Sequence, residues 1–306
     1  MARKKSDNIK ITWFDHIFGG VVIFFVLVLT AVFIFPLLNV LASSLSAPGA
    51  LMGGKVWVWP VNITFEAYGM MLSLRQLWSG YANSIFYAAA GTCINLLFTI
   101  AAAYPLSKRD LMGKPIFMAI FLFTMFFSGG LVPGYMLVNS LGLVNTRWAL
   151  LIPGALNVSY MIIARTFFSS TIPQELYDAA EIDGAGDFTT LVRIVLPLSG
   201  AVLAVLGLYY AVIHWNGYFD ALIFLTDYNK YPLQLIIRDY LMNSKMLEEV
   251  MTGGGSAASS AVAETMAKRE VLKYAIIVVA ALPMILIYPF VQRYFVQGVM
   301  IGSIKG

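Results

Sequence analysis

The chain has 306 residues, of which 59% are hydrophobic and 12% are charged, and it carries a formal net charge of +4. Soluble domains have about 25% charged residues, so this composition excludes a soluble globular protein and predicts an integral membrane protein. Lys and Arg are scattered beside apolar segments and form no basic stripe, which argues against nucleic-acid binding. The single cysteine, Cys93, has no partner for an intrachain disulfide and is interpreted as a small core residue.

Six segments are apolar enough to cross a bilayer, for which a helix needs about 20 residues. These segments are 16–42, 81–105, 115–139, 148–168, 197–222 and 273–295. The first is interpreted as a retained signal anchor because its apolar run is long and further spans follow. The basic N-terminus and the basic cluster after the second span belong on one side, the cytosol, by the positive-inside rule. We therefore predict an all-α, polytopic membrane domain with six transmembrane helices over 1–306, with both termini cytosolic.

Two longer segments are external in this topology, 43–80 and 223–272. The first contains three tryptophans that suit the membrane interface, where amphipathic rings are stable: Trp57, Trp59 and Trp78. In the second, the run from Gly253 to Ser260 is typical of a flexible tether.

The third span contains helix-breaking residues near its middle: Gly129, Gly130, Pro133 and Gly134. This composition predicts a kinked or interrupted helix, which a membrane protein tolerates where protein or a water-filled cavity satisfies the freed backbone groups. We expect the bend to lie beside a translocation path.

Ionisable side chains are scarce inside the spans, which argues against a carrier coupled to protons or sodium ions. There is no Gly-x-x-x-x-Gly-Lys-Ser/Thr loop, so an ATPase that drives transport must be a separate chain. The hydrolase motifs His-Glu-x-x-His and Gly-x-Ser-x-Gly are also missing, and His214 is interpreted as a packed or pore-lining side chain. The chain is therefore predicted to be a non-catalytic subunit that binds no cofactor itself.

The cytosolic loop 169–196 is predicted to hold two helices. Pro173 suits the first turn of one helix and Thr171 can cap it, while Gly184 ends it and Asp187 starts the next. An ordinary amphipathic surface helix is the alternative interpretation.

Residues 178–197 nevertheless resemble, in order and spacing, the EAA loop of bacterial ABC importer permeases. The matching elements are Asp178-Ala179-Ala180, then Gly184, then Ile194-x-Leu196-Pro197, with Asp178 where the family usually has Glu. In that family the loop forms a coupling helix that sits in a cleft of the ATPase. The resemblance implies that the coupling residues are Glu175, Asp178, Ala179, Ala180, Glu181, Gly184 and Ala185.

Other stretches are similar to carbohydrate permeases of the LplC/YtcP-like branch, which serves aldouronate or polysaccharide uptake: 127–133, Trp215-Asn216, 232–234 and 292–306. The likeness spans essentially the whole chain and implies a MetI-like fold in the plasma membrane of a Gram-positive bacterium. The implied partners are a second homologous permease, two cytosolic ATPase subunits that bind ATP and Mg, an extracellular solute-binding lipoprotein and an oligosaccharide. A similar tail in maltose-type relatives reaches the ATPase interface, which points to Ile304, Lys305 and Gly306.

A path for sugars needs hydrogen-bonding groups and aromatic faces more than fixed charge. The candidate path residues are Asn83, Tyr87, Asn157, Tyr209, Trp215 and Asn216. For each of them, bonding to a neighbouring helix is an equally valid interpretation. An importer permease for a peptide or amino acid is the second hypothesis for the chain, and a channel or secondary carrier is the third.

Overall fold

The computed structural model describes residues 13–242 and 260–303, and within these ranges the regular structure is helical, with one isolated bridge between Ser46 and Ile63. The chain divides into two compact units, Met1–Met71 with Leu247–Val278 and Leu72–Met246 with Val279–Gly306. Three predicted features lie outside the described residues: the basic N-terminus, the tether from Gly253 up to residue 259, and the tail from Ile304 to Gly306.

The first unit contains helix α1 (Trp13–Ser44), the short α2 (Pro48–Met52), most of α3 (Glu66–Ser73) and the start of the last helix, α14 (Ser260–Ser303). Most apolar side chains of α1 are exposed, which in water would be an aggregation hazard but in a bilayer is the expected lipid-facing surface. Around α3, the buried Ala67, Val271 and Ala275 pack together. The Lys268 ammonium pairs with the Glu66 carboxylate at 3.1 Å.

The second unit holds the remaining helices. Its longer helices are α4 (Arg75–Ser107), α5 (Lys114–Phe126), α6 (Leu131–Ser140), α7 (Val158–Ser170), α8 (Gln174–Ile182) and α11 (Gly200–Asn216). The shorter elements are the 3-10 helices Arg147–Leu150 and Tyr228–Lys230, α9 (Asp187–Thr190), a π-helix (Leu191–Val195), α10 (Leu196–Leu198), α12 (Phe219–Phe224) and α13 (233–242).

The centre of the second unit is α4, which packs against α7 and α11. Its buried face is small and polar, as in membrane proteins, where small residues permit close approach and polar groups bond between helices. This face includes Gly80, Asn83, Tyr87, Gly91, Asn95 and Thr99. Cys93 lies on another face and is exposed, so its interpretation as a core residue was wrong: the apolar neighbours that suggested burial face outward here.

Three described helices are long and apolar enough to cross a membrane, or up to five if two bent pairs each count as one span. One pair, α5 and α6, is bent by 113°. Residues 127–130 interrupt the helix, and Gly130 has φ +83°, so the predicted break in the third span is confirmed.

Three predicted spans differ from the observed helices. The segment 197–222 is divided, because Gly217 is extended after α11 ends at Asn216 and α12 begins at Phe219. The segment 148–168 contains the end of a 3-10 helix, then non-helical residues around Pro153 and Gly154, then α7, which has 13 residues. Six spans therefore stay a prediction.

The last helix begins at Ser260, inside the predicted external loop 223–272. Charged residues such as Lys268, Arg269 and Glu270 lower the mean hydropathy of its N-terminal part, which excluded that part from the predicted span. A helix nevertheless holds such residues at spacings of three and four, as in the Lys273–Glu270 ion pair.

Candidate coupling helix and translocation site

Helix α8 begins one residue later than predicted. Its first residue is Gln174, Pro173 occupies the N-cap position, and Thr171 is the C-cap of α7, so the prediction that Thr171 caps α8 was wrong. Gln174 Nε2 donates to the Asp178 carboxylate at 3.1 Å, one turn further along the helix. The acidic residues in the first half of α8 are favourably placed beside the positive end of the helix dipole.

The C-terminus of α8 is a Schellman motif. The Ala185 N–H donates to the Ala180 carbonyl at 2.8 Å, and the Gly184 N–H donates to the Glu181 carbonyl at 3.0 Å. Gly184 has φ +74°, a conformation that a residue with a Cβ resists. The turn predicted at Gly184 is confirmed, and it lets the chain reverse before α9 starts at Asp187, also as predicted.

The two alanines of the EAA-like string face different ways. Ala180 is 4% exposed and packs inside the chain, whereas Ala179 is exposed. The solvent-facing part of α8 also includes Glu175, Asp178 and Glu181. Two large apolar side chains extend this surface, because Ile182 is 87% exposed and Phe188 is 77% exposed. The small side chain of Ala179, with acidic and apolar side chains around it, is therefore available for contact with a partner protein.

Side chains attach the α8–α9 turn to the end of α4. Lys108 Nζ forms an ion pair with the Asp187 carboxylate, and the Tyr104 hydroxyl donates to the Asp187 carbonyl at 3.1 Å. Burial lowers the pKa of Lys108, but hydrogen bonding to Asp187 and the charges of Tyr104 and Asp187 raise that pKa above its ordinary value overall. The Tyr177 hydroxyl donates to the Phe168 carbonyl at 3.3 Å, which attaches α8 to α7.

A cavity of about 1150 Å³ lies beside these contacts. It is lined by the 107–112 turn and by residues of α8 and α9, including Lys108, Asp178, Glu181 and Phe188. The α8 region is therefore an open, mixed-charge surface that is anchored to α4 and α7.

At the other end of α4, two predicted path residues bond to the backbone of 229–231. Asn83 Nδ2 donates to the Asn229 carbonyl at 2.7 Å and to the Tyr231 carbonyl at 3.1 Å. The Tyr87 hydroxyl donates to the Lys230 carbonyl at 2.8 Å. Both side chains are buried, so part of their hydrogen-bonding capacity holds this segment against α4.

Asn145 connects the same segment to the turn after α6. Its side-chain oxygen accepts from the N–H groups of Thr226 and Asp227 at 3.1 and 3.0 Å. Its backbone donates to the Phe224 carbonyl at 2.7 Å and accepts from Lys230 Nζ at 2.7 Å. Asn145 is not among the residues predicted from the sequence. The signal that could have indicated a turn here is that asparagine tolerates positive φ, which is +58° at this position.

An interior cavity of about 270 Å³ lies between α4, α7 and α11. Its polar lining consists of Tyr87, Asn95, Asn157, Tyr210, His214 and Asp220. The structure thus brings two predicted path residues, Tyr87 and Asn157, to one cavity. In Asn157 the side-chain oxygen caps α7 by accepting from the Tyr160 N–H at 3.2 Å.

Asn95 and His214 form the central contact of this cavity. Asn95 Nδ2 faces the Gly154 carbonyl at 2.6 Å, and Oδ1 faces His214 Nε2 at 2.6 Å. Because a carbonyl can only accept, the amide nitrogen must point to Gly154, so His214 Nε2 carries the hydrogen and donates. His214 was interpreted as packed or pore-lining, and its contacts with Asn95 and Gly91 confirm that it is packed, while pore lining stays a prediction. Gly91 faces the ring, since a Cβ there would lie 2.6 Å from His214 Cδ2.

The other predicted path residues lie elsewhere. Tyr209 is half-buried, with its ring 5.5 Å from that of Tyr160. Trp215 is 3% exposed and contacts Tyr81, with ring centroids 6.0 Å apart. Asn216, in contrast, is exposed at the end of α11. Asn216 is therefore the residue among these three whose side chain lies outside the packed interior.

The chain matches the family model described as the inner membrane component of binding-protein-dependent transport systems over residues 77–301. It is 37% identical over 276 residues to Protein LplC of Bacillus subtilis, covering 90% of each chain. It is 34% identical to the polygalacturonan/rhamnogalacturonan transport system permease YtcP of the same organism, covering 95% of this chain and 99% of YtcP.

A solved structure supports the same assignment: a chain of a bacterial ABC transporter involved in the import of the acidic polysaccharide alginate. The TM-score is 0.82 at 33% identity, with 93% of this chain and 98% of the other covered. Because the family model and two full-length relatives agree with the helical fold, this chain belongs to the family of inner membrane components of binding-protein-dependent transport systems.

Proposed function

We propose that this chain is the permease subunit of an ABC importer that passes oligosaccharides from a binding lipoprotein to the cytosol. The observation that carries this proposal is α8, an exposed helix that ends in a Schellman motif and bonds to the end of α4. The absence of a phosphate-binding loop in the sequence assigns ATP and Mg to partner ATPase subunits.

The names of the relatives favour sugars over peptides or amino acids. YtcP is a polygalacturonan/rhamnogalacturonan permease, and the solved transporter imports alginate. Another relative, the melibiose/raffinose/stachyose import permease MelC of Bacillus subtilis, is named for neutral sugars and is 28% identical over 277 residues. We infer an oligosaccharide substrate, with acidic chains favoured because YtcP is named for polygalacturonan and the solved transporter imports the acidic polysaccharide alginate.

We propose that α8 lies on the cytosolic side, and this choice sets the orientation of α4. Asn83 and Ser107, the last residue of α4, are 24 positions apart, which is about 36 Å at a rise of 1.5 Å per residue and exceeds the roughly 30 Å hydrocarbon core. The Asn83 end of α4, with the Asn145 contacts, is then external. We also propose, from the basic N-terminus and the family resemblance, that both termini are cytosolic and that Ile304, Lys305 and Gly306 contact the ATPase.

Coupling is proposed to pass from α8 to α4 and α7. When the ATPases close, a helix seated in their cleft shifts, and the Asp187–Lys108 ion pair and the Tyr104 hydrogen bond transfer that shift to α4. The Tyr177 hydrogen bond does the same for α7. A second permease subunit completes the path, and we assign Asn216 and the polar cavity to its wall because they offer amide and imidazole groups to sugar hydroxyls.

The test uses Ala179, because its exposure separates docking from internal packing. We expect Ala179→Trp to release the ATPase subunits or to leave ATP hydrolysis without transport, since the large ring would not fit a close cleft. Ala179→Ser keeps a small side chain and should behave as the wild type. Purified complexes would be compared for ATPase content, ATP hydrolysis and uptake. Full ATPase retention and full transport in Ala179→Trp would overturn the coupling role of α8.

A further inference from the structure

Arg147 is the first residue of the 3-10 helix Arg147–Leu150, and it contacts the end of α4 that lies opposite α8. The side chain is exposed. Two following residues of the same short helix, Ala149 and Leu150, line the interior cavity. The guanidinium is therefore attached to a rigid element beside the proposed path, at its external end.

Two contacts hold the guanidinium in place. Its Nη2 atom donates to Asn83 Oδ1 at 3.0 Å, and its Cζ atom lies 4.9 Å from the centre of the Phe86 ring. Asn83 is itself held by the 229–231 backbone, so it provides a fixed anchor. An arginine that is already ordered loses less conformational entropy when it binds a ligand.

The charge of Arg147 is not neutralised within the described part of the chain. No described Asp or Glu carboxylate forms an ion pair with it, whereas the nearby Lys230 pairs with Asp227 at 3.3 Å. Asn83 takes up one of its five N–H donors and the Tyr87 hydroxyl interacts with the same guanidinium, so the remaining N–H groups are left for a ligand. Two parallel N–H groups match the two oxygens of a carboxylate.

We propose that Arg147 is a carboxylate-binding subsite that recognises a uronate residue of an acidic oligosaccharide as it enters the permease. This inference rests on the proposed function. The exposed Phe86 ring lies beneath the guanidinium and offers an apolar face to the same sugar ring. Hydrogen bonds to charged groups contribute about 1.5–3 kcal/mol, which corresponds to roughly a 10- to 100-fold effect on binding.

The experiment compares uptake of an oligogalacturonide with uptake of its methyl ester, in proteoliposomes that contain the full complex and its binding protein. For each sugar, the rate of a variant is divided by the wild-type rate, so the preference of the binding protein cancels. Arg147→Gln should lower uptake of the free acid by roughly 10-fold or more and leave uptake of the ester unchanged. Arg147→Lys keeps the charge without the forked geometry and should be intermediate.

Arg75→Gln is the matched control. It removes the same charge from an exposed position at the external start of α4, and it should leave both rates unchanged. If the wild type carries only the free acid, uptake of the ester cannot serve as the control for general damage to the complex. The apparent unfolding temperature of each variant complex is then measured instead. A selective loss with unchanged stability then supports the proposal, and a loss with lowered stability overturns it.

The outcomes separate the two proposals. If the wild type carries neither sugar with ATP, this inference fails, and uptake of a neutral oligosaccharide then decides whether the proposed function stands. If the wild type transports the acid and Arg147→Gln does too, the subsite is wrong while the importer function stands. An equal loss for acid and ester assigns Arg147 to packing or to lipid phosphate and also overturns the subsite.

Discussion

Replacement of Gly91 by alanine tests the close packing of α4 against α11. A Cβ at this position would lie 2.6 Å from His214 Cδ2 and closer still to two other ring atoms, a separation that real Cβ atoms essentially never show. The imidazole is rigid and is held by Asn95 at 2.6 Å, so relief requires either rotation of the ring or separation of the helices. Either movement breaks the Asn95–His214 hydrogen bond.

The expected cost combines two unfavourable effects with one favourable effect. Overpacking costs about 1–3 kcal/mol, and a lost buried hydrogen bond costs about 0.5–1.5 kcal/mol. Alanine is better than glycine in a helix by about 1 kcal/mol, which offsets part of the loss. We therefore expect Gly91→Ala to destabilise the second unit by about 1–3 kcal/mol, or an apparent Tm lower by about 2–12 °C.

The assay is thermal unfolding of the purified complex in detergent. Gly207→Ala, on α11, is the matched control because its Cβ would meet Leu96 at an ordinary 3.5 Å, so Tm should stay level or rise. In a His214→Ala background the clash is gone, and Gly91→Ala should cost nothing there. A wild-type Tm for Gly91→Ala, or an equal loss in both backgrounds, would refute the reasoning.

Three further predictions follow from single contacts. Asn145→Ala removes the acceptor of two backbone N–H groups and places at φ +58° a residue that tolerates this conformation less well, so it should lower the stability of the second unit by about 2–4 kcal/mol. Asn145→Asp keeps the acceptor and should cost less. Equal Tm values for the two variants would contradict this prediction. Gly184→Val forces a β-branched residue to φ +74° and should reduce the amount of substrate transported per ATP hydrolysed. Gly186→Ala, at an ordinary φ of −68°, should leave this ratio unchanged. Unchanged coupling in both variants would argue against a role of the Gly184 turn in coupling. Asn216→Leu should lower uptake in an intact complex, and unchanged uptake kinetics would remove Asn216 from the path.

The sequence predicted the membrane class, the interrupted third span, and the turn at Gly184, because these depend on composition and on local backbone chemistry. Glycine and proline change the backbone conformation locally, so the turns and helix breaks that they cause can be predicted without knowledge of the fold. The helix start at Gln174 was displaced because Thr171 is used to end the preceding helix instead, which a local capping pattern does not reveal.

The roles of polar residues in the spans could not be predicted in the same way. Asn83 and Asn216 look equivalent in a sequence, but Asn83 bonds to two backbone carbonyls and Asn216 is exposed. This difference depends on which segment folds against each helix. The same limit applies to Cys93, whose face of α4 was not apparent from the surrounding apolar residues.

The central claim is that α8 couples this permease to ATP hydrolysis by a separate subunit. The most direct measurement is accumulation of a labelled oligogalacturonide by proteoliposomes that contain the complete complex, with the binding protein outside and nucleotide inside. The account predicts accumulation with ATP, none with a non-hydrolysable analogue, and none with ATP in Ala179→Trp. Equal accumulation without hydrolysis, or undiminished accumulation in Ala179→Trp, would contradict it.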